Sequence, residues 1–400
     1  MPLSLESLTE APNALAPDYS RFKVAERVLL SGHSHQAWPD RAIDGQQAAF
    51  DDAAEHVDDK WARAFDRVDR VREGYRRLVG DPKGLYTLSE STHDLLVRLL
   101  SSLPLRERPK IVTTDLEFHS WRRQLQRLEE EGLEVERVQA LPASSVGERL
   151  AAATDDRTAA VFVSTVFFWN AHIVGDLTGA AEAARKHGAI LILDLYHQLN
   201  AVPFSLEDAG LEDAYAVGGG YKYCQLGEGN GFLRFPPNCD LRPIATGWFA
   251  EFGELTGPRT GREVQYNAGH DRFAGATFDP TAAYRGSEVF DYFSDRELHP
   301  HFLREVSQHQ VRRLAESFDT LGLAPDLIDR ERDVALDQIG GFLALVTPRA
   351  GDFSAELKKR GVWTDFRGDR LRLGPAPYLS DRQLDDAIAA VAEVARDLDP

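Results

Sequence analysis

The 400-residue chain is 43% hydrophobic and 28% charged, with 46 Lys and Arg against 64 Asp and Glu, a formal net charge of −18. That composition excludes disordered and fibrous classes and leaves room for two or three domains at ~150 residues each. The acidic balance argues against nucleic acid and anionic membranes, both of which are gripped by clustered Lys and Arg, so a small molecule is the expected partner.

Two cysteines, Cys224 and Cys239, are too few for a disulfide framework and lack the CxxC spacing of a structural zinc site. No metal is expected, and a reducing compartment is. The opening thirty residues carry acidic residues and prolines where a signal peptide needs a basic start and an unbroken apolar stretch. No apolar run reaches the roughly eighteen residues of a membrane span. The expectation is a cytoplasmic protein without a membrane partner.

In chain order, the apolar positions Ala48, Phe50, Val57, Trp61, Phe65, Val68, Val71 and Tyr75 predict one helix over 44–77, ending near Gly80-Asp81-Pro82. A second helix is predicted over 91–103, opening on Ser-Thr. Strands at 111–113, 134–138, 159–163 and 189–194 then alternate with helices at 121–131, 145–154 and 177–187. Apolar strands separated by single helices predict an α/β fold whose parallel sheet is covered on both faces. Beyond Phe290 the pattern becomes a helix at 301–321, a strand at 341–346, a helix at 353–360, strands around Val362 and Leu371, and a final helix from Asp381. This reads as a separate α+β unit. The predicted division is an N-terminal segment 1–43, a large domain 44–285 and a small domain 286–400.

Open parallel sheets bind ligands beyond the carboxyl ends of their strands. Asp194 ends the most apolar run, where a carboxylate is costly unless it has a cationic or hydrogen-bonding partner. A turn or cap role is the plain alternative. Lys222 follows a small-residue strand, 214–217, and the glycines Gly218, Gly219 and Gly220, between Tyr221 and Tyr223. Apolar surroundings lower a lysine pKa, and the neutral amine forms a Schiff base with an aldehyde. An exposed loop lysine is the competing role. A strand-end Asp followed 28 residues later by a Lys after another strand is the pair that pyridoxal phosphate needs. The Lys holds the aldehyde, and the Asp keeps the ring nitrogen protonated so that the ring accepts electrons.

The segments Ile192-Leu193-Asp194-Leu195-Tyr196-His197, Ala201-Val202-Pro203-Phe204 and Val217-Gly218-Gly219-Gly220-Tyr221-Lys222-Tyr223 resemble kynureninase, in the class V branch of the fold-type I pyridoxal-phosphate enzymes. Leu30-Ser31-Gly32-His33-Ser34-His35, Thr246-Gly247-Trp248-Phe249 and Arg370-Leu371-Arg372-Leu373-Gly374-Pro375 resemble further motifs of that family, in the same order. The resemblance implies a mainly parallel seven-stranded sheet in the large domain, and a small α+β domain built from the C-terminal part plus the N-terminal segment. It also implies a homodimer with a shared active site.

Residue by residue, the resemblance implies that Lys222 binds the cofactor, Asp194 pairs with its ring nitrogen, His197 lies beside it and Tyr221 donates to its phosphate. Phe118 matches the aromatic that stacks on the ring, with His119 as the rival if the register slips by one. Ser89, Glu90, Ser91 and Thr92 open a helix whose N-terminus favours a phosphate, and equally read as an ordinary cap. Trp248 matches a residue that reaches the phosphate across a dimer interface, against the commoner role of a buried core aromatic. Arg372 would take the substrate α-carboxylate, a task suited to a planar two-pronged donor. Arg367 and Arg370 beside it make surface pairing the competing role.

Trp169, His33, Ser34, Glu251 and Asp279 complete the implied substrate site. Trp169 stands where the family has a tyrosine, Glu251 where animal forms have histidine, and Asp279 where the family has asparagine. Two added carboxylates suit a cationic or hydroxylated group. The implied reaction is hydrolytic Cβ–Cγ cleavage of kynurenine or a related aryl-keto amino acid to alanine and an aromatic acid. The alternatives are a class V aminotransferase, β-lyase or decarboxylase on another amino acid, and a non-catalytic α/β binding protein. A cysteine desulfurase is disfavoured because no cysteine follows Cys239.

Overall fold

The apolar runs of the middle third form the centre of a seven-stranded sheet in the computed structural model, which describes residues 3–252 and 263–398. After β1 (Val28–Leu29) in the N-terminal segment, the sheet is built from β2 (Leu85–Ser89), β3 (Lys110–Thr114), β4 (Glu134–Val138), β5 (Thr158–Ser164), β6 (Ile190–Asp194), β7 (Tyr215–Gly219) and β8 (Gly231–Phe235), in the order β2-β8-β7-β6-β5-β3-β4. β4, β3, β5, β6 and β7 run parallel, and β8 is antiparallel to both its neighbours. Every residue of β3, β5, β7 and β8 is buried, as a sheet covered on both faces requires. The parallel registers Ser164↔Asp194 and Asp194↔Val217 bring the carboxyl ends of β5, β6 and β7 to one level, and the site lies there.

β2 and β8 are additions to the sequence expectation. They pair from Leu85↔Phe235 to Ser89↔Gly231. Arg234 disguises β8 as a surface segment, yet it is buried against Asp81 at 2.7 Å.

The single helix expected over 44–77 is two, Ala42–His56 and Lys60–Val79. The chain breaks at Val57, whose φ of 50° lies outside the helical region and is unusual for a β-branched residue. Val57 and Phe50, counted in the apolar stripe, are 70% and 71% exposed. The expected boundary at 285 falls inside a third helix, Thr281–Asp295, which packs against both. Gly45 permits that contact: a Cβ there would lie 2.4 Å from the Tyr284 carbonyl oxygen.

The C-terminal part follows its expected order. His299 accepts from the Phe302 N–H and Pro300 opens the helix Pro300–Asp319. After β9 (Asp329–Arg330), β10 (Leu343–Val346) and β11 (Val362–Trp363), β12 (Asp365–Arg367) and β13 (Arg370–Leu373) complete a four-stranded antiparallel sheet ordered β12-β13-β10-β9. Helices Pro300–Asp319 and Ala350–Lys359 pack against it, and Asp381–Leu398 packs on both of those helices. β1 pairs with β11, Val28 opposite Val362, and Ser31 bridges Gly374, so the N-terminal segment is strapped to this unit. Among the described residues no helix is long and apolar enough to cross a membrane.

Candidate active site

Lys222 follows β7 in a tight turn, in which the Gln225 N–H donates to the Lys222 carbonyl and the Leu226 N–H to that of Gly220. Glycine is needed on the approach: a Cβ on Gly219 would lie 2.3 Å from the Tyr196 hydroxyl. The lysine is 6% exposed, and its Nζ lies 2.7 Å from His197 Nε2 and 5.5 Å and 5.1 Å from the ring centres of Phe118 and Tyr196. It forms no ion pair among the described residues. Burial lowers its pKa to about 7, with Arg372 pushing the same way and Asp194 opposing. A large share of the amine is therefore neutral at neutral pH. His197 is driven well below its ordinary value by burial and then by the charges of Lys222 and Arg372, so its ring is neutral, and its Nδ1 is buried without a partner among the described residues.

Asp194 ends β6 with Oδ1 accepting from the Tyr196 N–H at 2.9 Å, while Oδ2 has no partner among the described residues. Burial raises its pKa against that hydrogen bond and the charge of Lys222. Beyond β3, Glu117 accepts from Thr114 Oγ1 at 2.7 Å and Ser164 Oγ at 2.5 Å. Burial pushes it up to about 7, and Asp194 adds to the shift.

Asp194, Phe118, Tyr196, Tyr221 and Thr92 line a cavity of about 210 Å³. The N-terminus of the helix Thr92–Ser101 opens onto it, with Ser91 as the cap accepting from the His93 N–H. Thr92 Oγ1 lies 2.7 Å from the Tyr196 hydroxyl and donates to the Gly218 carbonyl, stitching that helix to β7. Phe118 is the ring that faces Lys222, whereas His119 is exposed and packs on Phe168.

A second cluster abuts this one. Arg372 on β13 is 3% exposed and engages Asp365 through Nε at 2.8 Å and Nη2 at 2.5 Å, with Nη1 donating to the Phe168 carbonyl. His33 Nε2 lies 2.7 Å from the same Asp365. Burial and then Arg372 lower the His33 pKa to about 4, so a neutral imidazole donates here. Burial opposes ionisation of Asp365, but the hydrogen bonds from His33 and Arg372 hold its carboxyl well below the usual range. Phe342 joins the clusters, 4.6 Å from the His33 ring and 5.6 Å from that of His197.

Other expected residues lie elsewhere within the single chain. Asp279 accepts from the Thr281 N–H and Oγ1, so one carboxylate oxygen is committed to the start of a helix, and its own N–H donates to Glu90. Trp248 and Glu251 share a 3-10 turn outside the cavity that Asp194 lines. Trp248 is 44% exposed and packs on Phe249 and Phe252, which corrects the core-aromatic alternative. Ser89 faces a neighbouring cleft, Ser34 bonds His35, and Trp169 sits 5.7 Å from Arg370 with its ring against Gly368. Asp365, Glu117 and Tyr196 were missed by sequence reasoning. Only Glu117 carried a signal, as an acid just before the aromatic Phe118. Among the described residues no group of three or more His, Cys, Asp or Glu could hold a metal ion.

A cofactor with an aldehyde, a protonated ring nitrogen and a phosphate meets its complements here. These are the partly neutral Lys222 amine, which lies against the Phe118 and Tyr196 rings that line the cavity, and, on the cavity itself, the Asp194 oxygen without a partner among the described residues and a helix N-terminus.

No protein-family model matches the chain. Kynureninase of Pseudomonas fluorescens is 30% identical over 406 aligned positions, covering 96% of this chain and 93% of that one. The uncharacterized aminotransferase YcbU of Bacillus subtilis (strain 168) is 22% identical over 338, covering 83% and 85%. Among solved structures, C-DES with glycine covalently linked to its cofactor has a TM-score of 0.79 at 15% identity, covering 94% of this chain and 98% of its own. The apo cysteine desulfurase of Thermococcus onnurineus NA1 has a TM-score of 0.77 at 16% identity, covering 99% and 100%. The chain belongs to the class V branch of the fold-type I pyridoxal-phosphate-dependent enzymes, and pyridoxal phosphate is its cofactor. Within that branch its sequence is kynureninase-like.

Proposed function

We propose that this enzyme is a kynureninase-type hydrolase that cleaves the Cβ–Cγ bond of kynurenine or a related aryl-keto amino acid, yielding alanine and an aromatic acid. The observation that supports this reading is the 30% identity to kynureninase across 93% of that enzyme's length. Pyridoxal phosphate, held by Lys222, Asp194, Phe118, Tyr221 and Thr92, supplies the electron sink for chemistry at the substrate Cα. Arg372 receives the α-carboxylate through charge-assisted hydrogen bonds worth about 1.5–3 kcal/mol net. Lys222, with its pKa brought to about 7, moves the Cα proton at Nζ, close to the operating pH where such transfer is most efficient. His197, 2.7 Å away and neutral, orients that amine without adding a competing charge.

The reading includes a cytoplasmic homodimer in which the exposed Trp248 is lent to the neighbouring subunit's site, and the division into domains near residue 285. A second reading keeps the cofactor and changes the reaction to transamination, β-elimination or decarboxylation of another amino acid. Trp169, in place of a hydroxyl-bearing tyrosine, and the engagement of Asp279 at a helix start favour it. Cysteine desulfuration is disfavoured because Cys224 and Cys239 are both buried, with burial raising both thiols.

The test is anthranilate fluorescence after L-kynurenine is added to cofactor-loaded protein, beside a Lys222→Ala control. Production that falls on the order of 10⁴-fold in the control is the expected result. No anthranilate from a protein that retains its cofactor absorbance contradicts the kynureninase reading and favours the second one.

A further inference from the structure

Arg372 is locked by a residue that the proposed reaction does not use. A guanidinium offers paired N–H donors along two edges, Nε with Nη2 and Nη1 with Nη2. Asp365 occupies the first edge, its Oδ1 accepting from Nε at 2.8 Å and its Oδ2 from Nη2 at 2.5 Å. The Phe168 carbonyl takes an N–H of Nη1 at 2.6 Å, so the guanidinium plane is held from two sides.

Asp365 is held just as firmly. It lies directly opposite Arg372 in the β12–β13 ladder, so the pairing is set by strand register. His33 Nε2 sits 2.7 Å from Oδ1, and Arg367 Nη1 lies 3.5 Å from Oδ2. The His33 ring has no room to retreat, because Gly374 packs so close that a Cβ there would lie 2.0 Å from Nδ1.

We propose that Asp365 is a positioning residue that occupies the Nε–Nη2 edge of Arg372 and so presents only the Nη1–Nη2 edge to a substrate carboxylate. This rests on the reading that Arg372 receives that carboxylate. Asp365 stays in place when substrate binds. The N-terminal segment takes part through His33, which couples substrate recognition to residues more than 300 positions away in the chain.

The experiment measures binding of L-alanine and of L-alaninamide, which lacks the carboxylate, to the cofactor-loaded protein by calorimetry and by the absorbance of the bound cofactor. Wild type prefers alanine. Asp365→Asn loses that preference by on the order of tenfold, while its affinity for alaninamide stays within about twofold, an outcome that loss of the fold would not produce. An unchanged preference in Asp365→Asn overturns the proposal. An unchanged preference in Arg372→Lys instead overturns the reading of Arg372, and the proposal with it. If Asp365→Asn does not fold, the wild-type protein decides the matter by NMR of its arginine Nε–H groups. A slowly exchanging Arg372 signal that persists at saturating L-alanine supports the proposal, and its collapse shows that Asp365 is displaced and overturns it.

Discussion

Two sets of opposite charges lie at one sheet and are treated in opposite ways. Asp81 and Arg234 meet at 2.7 Å and 3.1 Å and are bonded further on both sides: Asp81 accepts from Gly84 and Tyr86, and Arg234 donates to the carbonyls of Glu212 and Ala214. Lys222 and Asp194 make no bond to each other. Among the described residues the side chain of the first has a neutral histidine as its one hydrogen-bond partner, and the second leaves an oxygen unengaged. Buried polar groups are normally satisfied, and a charge kept inside without a partner is costly. The sheet closes its valences at the structural pair and leaves them open at the proposed cofactor site.

Breaking the closed pair has the largest effect on the fold. Asp81→Ala strands Arg234 in the interior and is expected to cost about 3–5 kcal/mol in urea unfolding. Its affinity for pyridoxal phosphate should remain within about twofold wherever the variant is folded. Asp194→Asn reverses the pattern. It removes a charge-assisted hydrogen bond worth about 1.5–3 kcal/mol, so cofactor affinity should fall on the order of 10- to 100-fold in equilibrium titration. Stability of the cofactor-free protein should hold or rise. Loss of stability without loss of affinity would place Asp194 with Asp81.

The effect that is smallest per step, read one pH unit at a time, sharpens the comparison through pH. In the cofactor-free protein Lys222 titrates at about 7 and in the unfolded chain at its ordinary 10.5. Between these values the unfolded chain binds more protons, so stability rises with pH, by up to about 1.4 kcal/mol per unit, and the full penalty is present below about 7. Thermal unfolding of the cofactor-free protein from pH 7 to 10 should show that rise relative to Lys222→Met, which has no amine to neutralise. Parallel curves would mean that Lys222 is solvated.

The parallel core was legible because β5 and β6 carry continuous apolar runs, and Asp194 stood out as the carboxylate ending one of them. Lys222 was legible from its glycines and flanking tyrosines. The edge strands were not: β2 is a mixed Leu-Tyr-Thr-Leu-Ser and β8 carries Arg234, whose partner Asp81 is 153 residues away. Asp365 was illegible for the same reason. A carboxylate between Thr364 and Phe366 reads as surface until folding brings His33 and Arg372 onto it. Val57 misled in the other direction, because the apolar period continued through a residue at which the backbone turns out of the helix.

The buried Lys222, without an ion-pair partner among the described residues, is expected to be the amine that holds pyridoxal phosphate. Borohydride reduction of the cofactor-loaded protein, followed by peptide mass spectrometry, tests it directly. The chain has eight lysines, and the expected result is a single phosphopyridoxyl adduct on Lys222. An adduct on another lysine, or none on a protein that carries the cofactor, would contradict it.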